Sequence, residues 1–228
     1  MKAFGLVFVF MLFSFSSWSQ VDSVKLVVYD SDFRFSEGIY ISFDQVKKNK
    51  PLPKLRFIAS IDYEDPDFYE NLLSKAEISY YDDLGMKQTI MVKKIWGYGK
   101  NGNLYVRMYD SFNKVSYIGS ICHFLATINI VYQPMYDPYN YNPYYYYPGW
   151  NSSVSVSKTE IRQFIIDFTS GKILDFDEKN IEILLMRDTT LYDEYMGISK
   201  KKKQQLKFYY IRKFNERNPL TIPVYTIN

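Results

Sequence analysis

Chemistry-bearing residues are scarce in this chain. Its 228 residues include one cysteine and one histidine. One cysteine excludes an intramolecular disulfide framework, and one of each excludes a zinc site built from those two ligand types alone. The chain contains no GxSxG, HExxH or Walker loop, so the short motifs that fix an esterase nucleophile, a metalloprotease zinc or a P-loop phosphate are absent. Net charge is also low, at +3, too little to suggest nucleic acid as a partner. No apolar run is long enough to span about 30 Å of hydrocarbon. There is no clear internal repeat and no flexible linker. What is abundant is apolar and aromatic: 47% hydrophobic, with 23 Tyr and 17 Phe, against 23% charged. That balance excludes wholesale disorder.

Met1 and Lys2 form a short positive start. Ala3 to Phe13 is a continuous apolar run of eleven residues, and Ser17-Trp18-Ser19 places small residues at −3 and −1 of a cut before Gln20. This is the three-part layout of a secretory signal peptide, and it predicts removal of residues 1–19. No cysteine follows the cut, which argues against a lipid anchor. The mature chain, residues 20–228, has the size of one domain, and a single α+β domain is expected.

From Val24 to Phe176 the strand period dominates. Val24/Leu26/Val28, Ile39/Ile41/Phe43, Leu55/Phe57/Ala59/Ile61, Ala76/Ile78/Tyr80 and Leu104/Val106/Met108 all alternate with less apolar neighbours. Turn chemistry at Asp82–Gly85, Lys100–Asn103 and Thr169–Lys172 predicts tight connections, hence antiparallel neighbours. Ser42 with Gln45 has the form of a capping box for a short helix to about Asn49. Asp65 followed by Pro66 predicts a second helix start. After Phe176 the period becomes helical. Asp177 caps a segment carrying Ile181, Leu184 and Leu185; a second carries Leu191, Tyr192, Tyr195 and Met196; a third runs from Ser199 to Arg217, with Pro219 and Pro223 preventing continuation. The expected fold is a mainly antiparallel sheet, a meander of hairpins or a barrel-like form of it, followed by C-terminal helices.

Four places invite a chemical reading. Cys122 and His123 are adjacent, but in a strand neighbours point apart. Cys122 shares parity with the more apolar set Ile118, Ser120, Phe124, Ala126, Ile128 and Ile130, so it is expected in the core and His123 on the other face. Asp62, Glu64, Asp65 and Asp67 are oxygen-rich but lack EF-hand spacing and its glycine; helix capping accounts for them, and no metal site is assigned. Asp30-Ser31-Asp32 is a weaker version of the same feature.

Gln133 to Asn151 holds seven Tyr, one Trp and four Pro. Pro and Asn break regular structure, which predicts a long insertion between a strand ending near Tyr132 and one beginning near Val154. Tyrosine offers apolar area and a hydroxyl at low entropic cost, so Tyr139, Tyr141, Tyr144, Tyr145, Tyr146, Tyr147 and Trp150 form the candidate ligand surface; a low-complexity insertion without a ligand is the other reading. The last helix carries eight Lys or Arg against Glu216, a net +7. Lys200, Lys201, Lys202 and Lys203 read either as a solvated face of a helix docked on an acidic body or as a basic surface for anionic polymer or lipid heads.

Four blocks, GIYISFDQVKKNKP (Gly38–Pro51), KIWGYGKNGNLYV (Lys94–Val106), YIGSICHFLAT (Tyr117–Thr127) and YYIRKFNERNPL (Tyr209–Leu220), resemble recurring segments of uncharacterised exported proteins of Bacteroidota-type bacteria. The resemblance covers most of the mature chain but not the Tyr-rich insertion. It implies a single exported unit in a Gram-negative envelope, whether periplasmic, outer-membrane-associated or extracellular, and carries no activity, catalytic residue or cofactor. The expected function is a non-catalytic binding or structural role at the envelope, with carbohydrate or another envelope component as partner, no nucleic acid and no cofactor. The alternative is a hydrolase acting on envelope or extracellular polysaccharide through two carboxylates, which can come from any two strands.

Overall fold

The computed structural model describes residues 23–132 and 156–226. The expected leader, residues 1–19, and the Tyr-rich segment, residues 133–151, therefore lie outside the described residues, as do all seven candidate aromatic side chains. The elements in chain order are β1 (Ser23–Val28), β2 (Gly38–Tyr40), α1 (Phe43–Lys47), β3 (Phe57–Ile58), α2 (Phe68–Leu73), β4 (Glu77–Tyr81), β5 (Lys87–Met91), β6 (Gly97–Lys100), β7 (Asn103–Met108), β8 (Ser111–Tyr117), β9 (Ile121–Tyr132), β10 (Val156–Asp167), β11 (Lys172–Asp175), α3 (Glu178–Leu185), α4 (Thr189–Met196), α5 (Lys200–Arg217) and β12 (Thr221–Thr226). No helix among the described residues is long and apolar enough to cross a membrane.

The strands form antiparallel sheets, and three helices follow near the C-terminus: the fold is α+β. Seven strands, in the order β11-β10-β9-β8-β7-β6-β2, make the main sheet, which curls into a half-barrel. Strands β3, β4 and β5 form a small sheet, and β1 pairs with β12. The Asn101-Gly102 turn between β6 and β7 has both residues at positive φ, 51° and 73°, as a two-residue hairpin of this type requires.

Three apolar clusters follow from the strand parities. Phe124, Ala126, Ile128, Phe164, Ile166, Leu104, Val106 and Cys122 fill the concave side of the half-barrel, with Phe33, Phe35 and Ile222 closing it. Ile121 and Ile165, on the opposite face of β9 and β10, pack under Ile181, Leu184, Leu185, Leu191, Tyr195, Tyr210, Ile211 and Phe214 of the helical layer. The third cluster joins α2 to the small sheet and to Tyr98.

Four expectations need correction. Ile39 to Phe43 is not one strand: β2 ends at Tyr40, and α1, carrying the capping box on Ser42 and Gln45, begins at Phe43. Of Leu55 to Ile61 only Phe57–Ile58 is strand, because Lys54–Arg56 winds into a 3-10 turn after Pro53. The second helix begins at Phe68 rather than after Asp65. The Asp65 carboxylate instead accepts the N–H of Asp67 at 2.8 Å and the Asn71 amide at 3.0 Å, bracing the approach to the helix. Finally, the long apolar parity through Ile118 is broken, with β8 ending at Tyr117 and β9 starting at Ile121. The side chain of Asn215, on α5, donates to the Ile121 carbonyl and accepts its N–H, both at 2.8 Å. It takes the place of a neighbouring strand there. Any Cβ on Gly119 would meet that amide at 2.3 Å, so only glycine fits.

Candidate functional site

The Cys122 thiol is fully buried and donates to the Gly119 carbonyl at 3.2 Å. Burial pushes its pKa up to about 12, so it is neither exposed nor ionised as a nucleophile must be. His123 lies on the other face, as strand parity requires. Its Nε2 is 3.0 Å from Gln163 Oε1, and its ring meets Phe176 and Phe208 edge-on at 5.0 and 5.4 Å. Burial holds the imidazole below its usual pKa, while the Gln163 contact opposes that shift. The pair is two packing residues on opposite sides of one strand.

Several carboxylates have perturbed pKa values, and these move downward. Hydrogen bonds from Lys158 and Arg162 lower Glu160, and Lys213 does the same for Glu194. Burial works the other way at Asp167 and Asp188. It is outweighed by Ser170, the Thr169 N–H and Arg187 at the first, and by the Leu191 N–H and Arg217 at the second. A glycosidase general acid needs the opposite shift. In the acidic loop, Asp62 accepts the Glu64 N–H at 3.0 Å. Asp67 faces Lys100 at 3.8 Å. Asp30 accepts the N–H groups of Asp32 and Phe33. Among the described residues no group of three or more His, Cys, Asp or Glu is placed to hold a metal ion.

The four-lysine run divides. Lys200, Lys201 and Lys202 are exposed on the first turn of α5. Lys203 is not part of that surface: it is 8% exposed. Its ammonium lies 2.8 Å from Glu182 on α3 and 5.0 Å from the centre of the Tyr195 ring. The reason is helical geometry. The fourth lysine falls on the face that docks against α3 and α4, where it must be paired to be buried.

The candidate site lies where β9 and β10 leave the sheet. These strands pair through twelve rungs, from Ile121↔Asp167 to Tyr132↔Val156. Strand β11 pairs only with Phe164–Asp167. Carrying the Val115↔Phe124 register along β8 sets its first residue, Ser111, beside Ile128. Asn129–Tyr132 and their β10 partners therefore continue as a two-stranded ribbon toward the Tyr-rich segment. At the corner is a groove of about 600 Å³ lined by Tyr109, Ser111, Ile128, Asn129, Ile130 and Arg162, among others. Ile128 is buried and supplies an apolar floor. The Arg162 guanidinium rests 3.2 Å from Glu160. Such a mouth, apolar below and polar at the rim, is where barrel-like sheets place ligands.

Tyr109 makes this corner unusual. Met108 pairs with Ser111, so Tyr109 and Asp110 are the whole β7–β8 turn, and Tyr109 sits at φ 52°. Glycine is the usual residue at a position of this kind, and an L side chain there costs about 1–2 kcal/mol. The ring is nevertheless 60% exposed, so little packing offsets the strain. Strain held at an exposed aromatic beside a groove points to use. Tyr109, Asn129 and Arg162 were not singled out by motif or composition. The signal that could have found them is Met108-Tyr109-Asp110-Ser111, a two-residue connection between alternating segments with no glycine in it. No protein-family model, no curated protein and no solved structure matches this chain.

Proposed function

We propose that this chain is an exported, non-catalytic binding module of a Gram-negative cell envelope, that residues 1–19 are its cleaved leader, and that it holds carbohydrate of the envelope through aromatic side chains. The observation that carries this reading is the β9–β10 ribbon. It pairs as far as Tyr132 and Val156, directly before and shortly after the segment holding Tyr139, Tyr141, Tyr144 to Tyr147 and Trp150, with Tyr109 and the groove at its base. Aromatic faces beside amide, hydroxyl and guanidinium groups suit a sugar, whose rings offer C–H faces and hydroxyl rims. Lys200, Lys201 and Lys202 supply a separate basic patch for anionic polymer.

The test is retention of the purified protein on isolated envelope polysaccharide, compared with a variant lacking Pro134 to Trp150. The deletion should abolish retention and leave the thermal midpoint unchanged. Unchanged retention by a folded deletion variant overturns the proposal.

A further inference from the structure

Among the described residues, one edge of the main sheet is open. At the β2 edge, Ile39 exchanges two backbone hydrogen bonds of 2.9 Å with Leu52. At the other edge, β11 covers β10 only from Phe164 onward, and the Gln163 carbonyl accepts the Phe176 N–H at 3.2 Å. That last bond fixes the direction of every backbone group along the strand. In an antiparallel strand a residue's N–H and C=O point the same way, and the direction alternates. Since Gln163 faces the β11 side, so do Ser157, Thr159 and Ile161, while Lys158, Glu160 and Arg162 bond to β9. An open edge with unpaired groups is a template for another strand.

We propose that β10 pairs antiparallel with β10 of a second copy of this chain, about a two-fold axis through Thr159. The sequence of the edge selects both the partner and the register. With Thr159 opposite Thr159 of the second copy, Ser157 falls opposite Ile161, and all three edge-facing residues exchange both their hydrogen bonds. Lys158 then falls opposite Glu160, and Glu160 opposite Lys158, so the alternating charges of the strand match across the axis; opposite charges directly across a ladder stabilise it and like charges destabilise it. A two-residue slip centres on Glu160 and sets Glu160 against Glu160 and Lys158 against Arg162, like charges throughout. A four-residue slip, centring on Ile161, still pairs Glu160 with Arg162. It also sets Thr159 against Gln163, whose carbonyl is already taken, and drives the second strand into β11. Ile161 is 73% exposed and Leu125, two rungs away on the same face, is 48% exposed. No proline interrupts Val156–Asp167. A seven-residue pairing is small beside the roughly 1,200–2,000 Å² of a standard interface, so the association belongs in the micromolar range.

Sedimentation equilibrium of the purified protein from about 1 to several hundred micromolar should show a monomer–dimer equilibrium. Thr159→Pro removes one edge-facing N–H and no backbone bond to β9, and proline is tolerated on edges. It also removes the 2.8 Å bond from the Thr159 hydroxyl to Asn129, which Thr159→Val removes alone. The proline variant should leave the circular dichroism unchanged and weaken dimerisation at least tenfold, while the valine variant leaves dimerisation intact. Lys158→Glu should weaken it, and adding Glu160→Lys should restore it. Should the proline variant fail to fold, cysteine pairs decide the matter. Thr159→Cys should form a disulfide-linked dimer on oxidation, whereas Ile161→Cys, offset by about 14 Å from its counterpart in this register, should not. The buried Cys122 gives no background. A monomer at all concentrations, a dimer that Thr159→Pro leaves intact, or cross-linking at Ile161 in place of Thr159 overturns the proposal.

Discussion

Replacing Cys122 by alanine tests whether the lone thiol is a packing group or a reagent. Burial raises its folded-state pKa to about 12, against an ordinary thiol near 8.5. The folded state thus holds this proton more tightly than the unfolded chain does. The sign follows: the contribution is complete below the unfolded pKa and is lost as pH rises toward the folded one. Above about pH 9 the loss is about 1.4 kcal/mol per pH unit, so raising pH from 9 to 10 should cost the parent protein that much more than Cys122→Ala. Tyr40, Tyr98 and Tyr195 are also raised, chiefly by burial. Their losses have the same sign and are under way by pH 10, where an unfolded tyrosine is about half ionised, but they are common to both proteins and cancel in the difference between the parent and Cys122→Ala. Urea unfolding at pH 7, 8, 9 and 10 reads the difference. Labelling with an aromatic disulfide reagent gives a second readout. At pH 8 a thiol of pKa about 12 is ionised roughly once in 10⁴, against about one in four for a free thiol, so native labelling should be more than a thousandfold slower than labelling in denaturant. Parallel pH profiles, or native labelling within tenfold of the denatured rate, would refute the buried-thiol argument and reopen a Cys122-centred chemistry.

Two further outcomes follow from the site descriptions. Lys203→Ala leaves Glu182 without its partner in a partly buried position and should cost about 2 kcal/mol, or about 4–8 °C in melting temperature for a chain of this size. Lys203→Met leaves Glu182 equally unpaired and should cost nearly as much, whereas Lys203→Met with Glu182→Leu removes both charges and should recover most of the loss in the same calorimetric comparison. Tyr109→Gly relieves the positive φ but loosens the unfolded chain, so its stability should stay within about 1 kcal/mol of the parent, while retention on envelope polysaccharide should fall.

The strand parities, the Asn101-Gly102 turn and the three C-terminal helices were legible because each depends on local chemistry. Positive φ favours Asn or Gly, and an amphipathic period shows in any window of sequence. The placement of Cys122 and His123 on opposite faces was legible for the same reason. What could not be read depended on partners distant in sequence. Nothing in a run of four lysines marks the fourth as buried; that needs Glu182 on another helix. The role of Asn215 as a substitute strand needs Ile121, 94 residues away. Strand β12 was hidden because Pro219 and Pro223 read as helix stops. Pro223 in fact sits opposite Leu26 in a two-stranded ribbon, where a missing N–H is tolerated. The tension at Tyr109 is visible only once the register of β7 on β8 fixes the turn at two residues.

The helical layer explains why the β9–β10 ribbon is left free. Its contacts on the outer face are made at Ile121 and Ile165, both fully buried, and His123 marks its margin under Phe176 and Phe208. Beyond that line Leu125 and Ile161 stand in solvent. The free part of β10 then divides its surfaces by residue parity. Even-numbered residues, Glu160 and Arg162, turn their backbone to β9 and their side chains to one face, where Arg162 lines the groove. Odd-numbered residues, Thr159 and Ile161, turn their side chains outward and their backbone to the open edge. A strand of period two can therefore carry a ligand groove and a pairing edge on the same few residues, with one side chain shared: Glu160 holds the Arg162 guanidinium at 3.2 Å and stands opposite Lys158 of the second copy in the proposed dimer. Changes at Arg162 should act first on the groove, and removal of the Thr159 N–H first on the edge.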